Sequence, residues 1–236
     1  MASPEGAEGI YYEKEQDLMP DAFKSFDREE VYLDMPDPVK STLTEIQEHL
    51  ADGRHDILHI TAHGGMNDEG EGLLYLEDHR GNLQEVKGDE LMKVLVPPPR
   101  LVILPACHSA RQEPGLMPAA RALFEAGITA VIGMKTKISH LAAIDFNVAF
   151  FQALAAGKPL SDVFTAGKAA IFKGEQQRLR EIPGWDTLKE DEIPQLLVRE
   201  KDENLTREDF SGHCIKAPDR PQGIFCLAPL SVELHM

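Results

Sequence analysis

The chain has 236 residues, 42 % of them apolar, which suits one α/β domain with a substantial core and argues against disorder. With 24 basic against 40 acidic residues the net charge is −16, which speaks against direct nucleic-acid binding. No stretch approaches the roughly 18 apolar residues that cross a bilayer, the acidic N-terminus is not a secretory signal, and 3 widely spaced cysteines make no disulfide framework. No membrane association is expected, and a reducing, cytoplasmic setting is.

Residues 1–28 are polar, acidic and weakly periodic, and read as an N-terminal arm or the remnant of a truncated first unit. Residues 30–34 form a strand candidate, after which Asp37 and Pro38 supply an N-cap and a first-turn proline. Val39, Leu43, Ile46 and Leu50 follow at helical spacing, closed by Gly53. Residues 56–65 then read as one buried strand ending at His63, Gly64 and Gly65. An acidic, glycine-rich loop, 66–72, leads into strand 73–77 and a turn at 79–82, which together suggest a hairpin. Residues 89–95 form a short helix stopped by Pro97, Pro98 and Pro99, and a second buried strand runs from Arg100 to Cys107. Helix 118–126, strand 128–134, an apolar helix 139–156 closed by Gly157, and a helix from Ser161 to about Phe172 complete the regular part. The charged remainder holds a strand candidate at 193–198 and a last apolar patch at 223–228.

Strand–helix–strand order is the grammar of a parallel sheet, and such sheets bind ligands beyond the carboxyl ends of their strands. Two strand ends placed side by side would bring together the imidazole of His63 and the thiol of Cys107. An imidazole that takes the thiol proton creates a thiolate nucleophile, and the imidazolium can then protonate a leaving amine. The amide of Gly64, unobstructed by a side chain, and that of Cys107 are suited to form an oxyanion hole. Either residue alone is more often structural. The ordered pair, 44 positions apart with the small Ala106 before the thiol, matches the caspase-like pattern of a histidine roughly 50 residues ahead of the cysteine.

The blocks at 56–64, 72–76 and 100–109 resemble the CHAT domain, a caspase-related (clan CD) cysteine peptidase family. The helix–strand pair at 119–134, the helices at 146–171 and Trp185 extend the resemblance over about residues 30–200. It implies an α/β, caspase–hemoglobinase-like three-layer fold with a central, mostly parallel sheet. It also implies peptide hydrolysis with His63 and Cys107 as the dyad. That chemistry requires no cofactor, and no metal is expected because no third and fourth ligands converge on the pair in sequence. Substrate contacts are expected from Ala106, His108 and the loop holding Ser139. Many relatives carry an acidic residue near that position, whereas here Lys135, Lys137 and Ser139 occupy the loop, so a preference for basic residues at the cleavage site does not carry over. Family members are commonly fused to regulatory or sensor modules, often in antiphage systems including CRISPR-linked ones. A protein substrate and a regulatory partner or fused module are therefore expected.

The expected organisation is an arm at 1–28, a peptidase domain at 29–200 and an unassigned tail at 201–236. His59 reads as a core histidine on the His63 strand, and His213, Cys214 and Cys226 fall short of a structural zinc set. The competing function is a catalytically inactive scaffold or interaction module on the same fold. A flavodoxin-like ligand-binding domain is weaker, because no glycine-rich phosphate loop follows the first strand.

Overall fold

A computed structural model describes residues 31–34, 42–51, 53, 55–60, 62–105, 117–136, 138–182, 189–199 and 222–227. Nine strands make two sheets among these residues. Strands β1 (Val31–Asp34), β2 (His55–Ile60), β6 (Leu101–Ile103), β7 (Ala130–Met134), β8 (Pro194–Val198) and β9 (Gln222–Leu227) form the larger, in the order β1-β9-β2-β6-β7-β8. All its pairings are parallel except β7 with β8. The smaller sheet is antiparallel and contains β3 (His63–Met66), β4 (Gly72–Glu77) and β5 (Leu83–Lys87).

The described helices are α1 (Leu43–Leu50), α2 (Gly88–Val94), α3 (Met117–Glu125), α4 (His140–Ala155) and α5 (Leu160–Glu181). The fold is thus mixed α/β around a mostly parallel central sheet, as the sequence leads one to expect.

Burial explains the parallel strands. Every residue of β2, β6 and β7 is buried, which is why β6 and β7 read as continuous apolar runs rather than alternating ones, while β2 also buries His55, Asp56 and His59. Helix α1 starts later than the Asp37–Pro38 signal, which lies outside the described residues. Its N-cap is Thr42, whose Oγ1 accepts the Glu45 amide at 3.1 Å while the Glu45 carboxylate accepts the Thr42 amide at 3.4 Å. This reciprocal capping satisfies two donors that a helix start leaves open. Gly53, at φ +68°, turns the chain out of the helix.

Helix α5 continues nine residues beyond the expected end at Phe172. The added turns are charged yet anchored, because Glu175 is buried and accepts the Lys189 amide, and Arg178 pairs with Asp145 of α4 at 2.8 Å. Phe146, Phe150 and Phe151 of α4 form the aromatic centre of the core. Phe146 stacks on Phe150 and meets Phe164 of α5 edge-on, with centroids 5.5 and 5.9 Å apart.

The region expected as a hairpin insert is larger than a hairpin, because β3 joins β4 and β5. The acidic loop is a closed turn. Asn67 Oδ1 accepts the amides of Glu69 and Glu71, Gly70 adopts φ +81°, and Lys87 bonds the Glu71 carboxylate. Asp78 holds the second turn in the same way, accepting the amides of Arg80 and Asn82 and the Asn82 side chain, which lowers its carboxyl to about 2.

Candidate active site

The expected single strand 56–65 is two strands in two sheets. β2 stops at Ile60, and β3 opens at His63, opposite Tyr75 of β4, with Gly64 opposite Leu74. The physical reason lies in the glycines and their partner. A Cβ on Gly65 would fall 2.1 Å from the Tyr75 hydroxyl oxygen and 2.8 Å from the ring carbon that carries it. Only a residue without a side chain lets this ring lie across β3.

The large sheet holds the two strands that precede the candidate residues in sequence. β2 and β6 are adjacent and parallel, with His59 opposite Ile103. In sequence, His63 and Cys107 each come four positions after one member of that registered pair. Open α/β sheets place their ligand crevice at the carboxyl ends of their strands. The backbone of His63 and Gly64 is defined by β3, while Ala106, Cys107 and His108 lie outside the described residues, as does Trp185. The same holds for His213 and Cys214.

Ser139 sits in the loop after β7, the next parallel strand beyond β6. It is the N-cap of α4, its Oγ accepting the Ala142 amide at 3.2 Å. The same Oγ donates to Glu190 Oε2 at 2.8 Å, and the Ser139 amide donates to Glu190 Oε1. Glu190 is 3 % exposed and comes from the short 3-10 turn before β8, while the amide of Lys135 donates to the Ile193 carbonyl just beyond it. The buried Glu190 carboxylate thus pins the Ser139 end of this loop, and the Ile193 carbonyl holds its Lys135 end. No local pattern announces Glu190, since it lies 51 positions from its partner.

This contact carries a prediction. Hydrogen bonds to a charged acceptor contribute about 1.5–3 kcal/mol each, so Glu190→Ala should lower stability by about 2 kcal/mol or more in urea unfolding. Adding Ser139→Ala to that variant should cost less than Ser139→Ala alone; strict additivity would show that the two groups are uncoupled.

His59 is the buried histidine of β2, 2 % exposed, with its ring edge-on to Phe151 at 6.0 Å. Burial pushes its pKa down to about 4, with Asn147 acting less strongly in the opposite sense. Its Nε2 meets no hydrogen-bond partner among the described residues. His59 is therefore a neutral core group at physiological pH.

Between pH 6.5 and about 4 the unfolded chain binds a proton here that the folded chain refuses. This contribution to stability is complete above pH 6.5 and declines as the pH falls to about 4, by about 3 kcal/mol in total. In urea titrations at pH 7 and 4.5, His59→Leu should lose less stability between the two values than the unaltered chain. Equal losses would mean that His59 is not the group responsible.

Among the described residues no helix is long and apolar enough to cross a membrane. No curated protein matches the chain. The family profile described as CHAT domain matches residues 24–216, most of the chain, over a fold of the caspase-like kind. The chain therefore belongs to the CHAT domain family, which is related to the caspase-like cysteine peptidases.

Proposed function

We propose that the chain is a cysteine endopeptidase in which Cys107 is the nucleophile and His63 the general base and then acid. The observation that carries this reading is the β2–β6 register, with both residues four positions beyond the His59–Ile103 pair. Family membership supports the reaction class.

In this mechanism the His63 imidazole takes the Cys107 proton, and the thiolate attacks the peptide carbonyl carbon. The oxyanion of the tetrahedral intermediate is held by the amides of Gly64 and Cys107. The imidazolium gives its proton to the leaving amine as the C–N bond breaks, leaving a thioester. Water, deprotonated by His63, then hydrolyses the thioester and returns the thiol. The chemistry requires no cofactor. Ala106, His108 and the Ser139 loop would line the substrate cleft, with Glu190 holding that loop in place.

A protein substrate, a regulatory partner or fused sensor module, and a role in regulated proteolysis such as antiviral defence complete the proposal. These rest on the family resemblance.

The test is digestion of a proteome or degenerate peptide library by the unaltered chain and by Cys107→Ala, read by mass spectrometry with and without candidate partners. Alkylation by an electrophilic thiol probe runs alongside. Cys107-selective, His63-dependent alkylation together with cleavage that vanishes in the variant is the expected result. Three slow, similar thiols and no Cys107-dependent cleavage under any condition would instead identify an inactive scaffold.

A further inference from the structure

The central sheet takes one of its interior strands from the far end of the chain. β9 lies between β1 and β2 and is parallel to both, with Val31–Asp34 opposite Gln222–Phe225 on one side and His55–Ile60 opposite Gly223–Leu227 on the other. The family match ends at residue 216, so this strand lies outside the matched segment. Among the described residues, β1 reaches the sheet through β9 alone.

The strand is also placed to act on the candidate site. Its last registered pair is Leu227 with Ile60, three positions before His63. β9 runs in the direction of β2, so Leu227 lies at the sheet end from which His63 departs. Without β9, β2 would become an edge strand with one row of unpaired backbone groups, just where the chain must cross into β3.

The connection permits such a strand to enter and leave. β8 is antiparallel to β7 and ends opposite Ala130, at the same end of the sheet as the beginning of β9 opposite His55. The intervening residues 199–221 therefore need not run the length of a strand. They must cross four strand spacings, about 19 Å, whereas a segment of that length reaches roughly 75 Å. Closing so long a loop adds little entropic penalty for each further residue.

We propose that residues 222–227 form a removable strand whose occupation of the slot between β1 and β2 sets the competence of the His63–Cys107 site. The C-terminal segment is then the handle through which that site is switched. The inference deepens the peptidase reading and rests on it for the site, though not for the strand.

The test uses the full chain in three forms: unaltered, Ile224→Pro, and a form with a protease recognition sequence inserted within residues 217–221 and cut after folding. Proline removes the ladder donor and is rarely accepted in an interior strand. Amide exchange at residues 57–60 reports the slot, exchange at 101–103 and 130–134 reports the rest of the sheet, and alkylation of Cys107 reports the site.

In Ile224→Pro, exchange in β2 should accelerate about 10-fold or more while β6 and β7 stay protected. Cys107 alkylation should fall to the rate of an ordinary thiol. A synthetic peptide of residues 218–232 should restore both readouts, and in labelled form should enter the cut chain.

Unchanged β2 exchange in Ile224→Pro overturns the proposal. If that variant unfolds throughout, the cut chain decides: failure of the labelled peptide to enter it overturns the proposal equally. Should β2 respond while Cys107 is inert even in the unaltered chain, the dyad reading fails and the removable strand stands. Alkylation that remains fast and His63-dependent after β2 loosens keeps the dyad and removes the coupling.

Discussion

His63→Ala should lower kcat/KM for peptide cleavage about 10²–10⁴-fold, the range over which a positioned acid–base group acts. Two losses combine. An unassisted thiol with a pKa near 8.5 is only a few per cent thiolate at pH 7, so the nucleophile becomes scarce. The leaving amine also loses its proton donor, and the tetrahedral intermediate then reverts by expelling thiolate, the better leaving group. The residual rate should consequently rise with pH through the range of a free thiol, about 8–9, where a histidine-assisted enzyme has already reached its plateau. His79→Ala, in the exposed turn between β4 and β5, should leave the rate within about 2-fold, as surface substitutions usually do. Initial rates from pH 6 to 9.5 for the three chains make the comparison. A His63→Ala profile that coincides with that of the unaltered chain removes His63 from the chemistry.

The sequence discloses those parts of this fold that depend on neighbouring residues, and conceals those made by distant ones. β6 and β7 are legible because strands buried on both faces must be continuously apolar, and Gly127 and Gly157 mark helix ends at φ +121° and +71°. Ser139 is likewise recognisable as a helix opener. The break between β2 and β3 is not, because Ile60 and Ala62 keep the apolar character running through it. The change of sheet is imposed by β4, with Tyr75 lying over Gly65. The charged half of α5 reads as tail because its anchors, Asp145 for Arg178 and Lys189 for Glu175, lie 33 and 14 positions away. β9 is the extreme case. Six residues resembling a stray apolar patch acquire their meaning from partners at the opposite end of the chain. For the candidate site, the residue types and their spacing are legible, while the loop anchor Glu190 is not.

Gly72→Ala should be among the most damaging single substitutions, because α3 is packed through its backbone. A Cβ at Gly72 would stand 2.2 Å from the Ala119 nitrogen and 2.6 Å from the Pro118 carbonyl carbon. These atoms belong to the first turn of the helix and cannot swing aside as a flexible side chain would. The same helix meets Gly88 of α2 at Ala122 and Gly133 of β7 at Ala120, each 2.6 Å from the notional Cβ. It is thus held on three sides by glycines, with Ala119 and Ala120 fully buried. Moving α3 away from β4 to admit one methyl would disturb the contacts with α2 and β7, since close-packed interiors transmit displacement rather than absorb it. Overpacking costs about 1–3 kcal/mol where side chains can yield and more where backbone must move, so a loss of at least about 3 kcal/mol is expected. For a chain of this size that lowers Tm by about 6–12 °C. Gly81→Ala is the control for adding a methyl in open space, although its positive φ adds some strain of its own. Calorimetry of both variants tests the packing account, which is refuted if Gly72→Ala melts no lower than Gly81→Ala. The position also bears on function, because β4 pairs with the His63 strand and α3 is the first described element after Cys107. On the proposed dyad, a folded Gly72→Ala chain at low temperature should also lose Cys107 alkylation, since the substitution displaces the strand that pairs with the His63 strand.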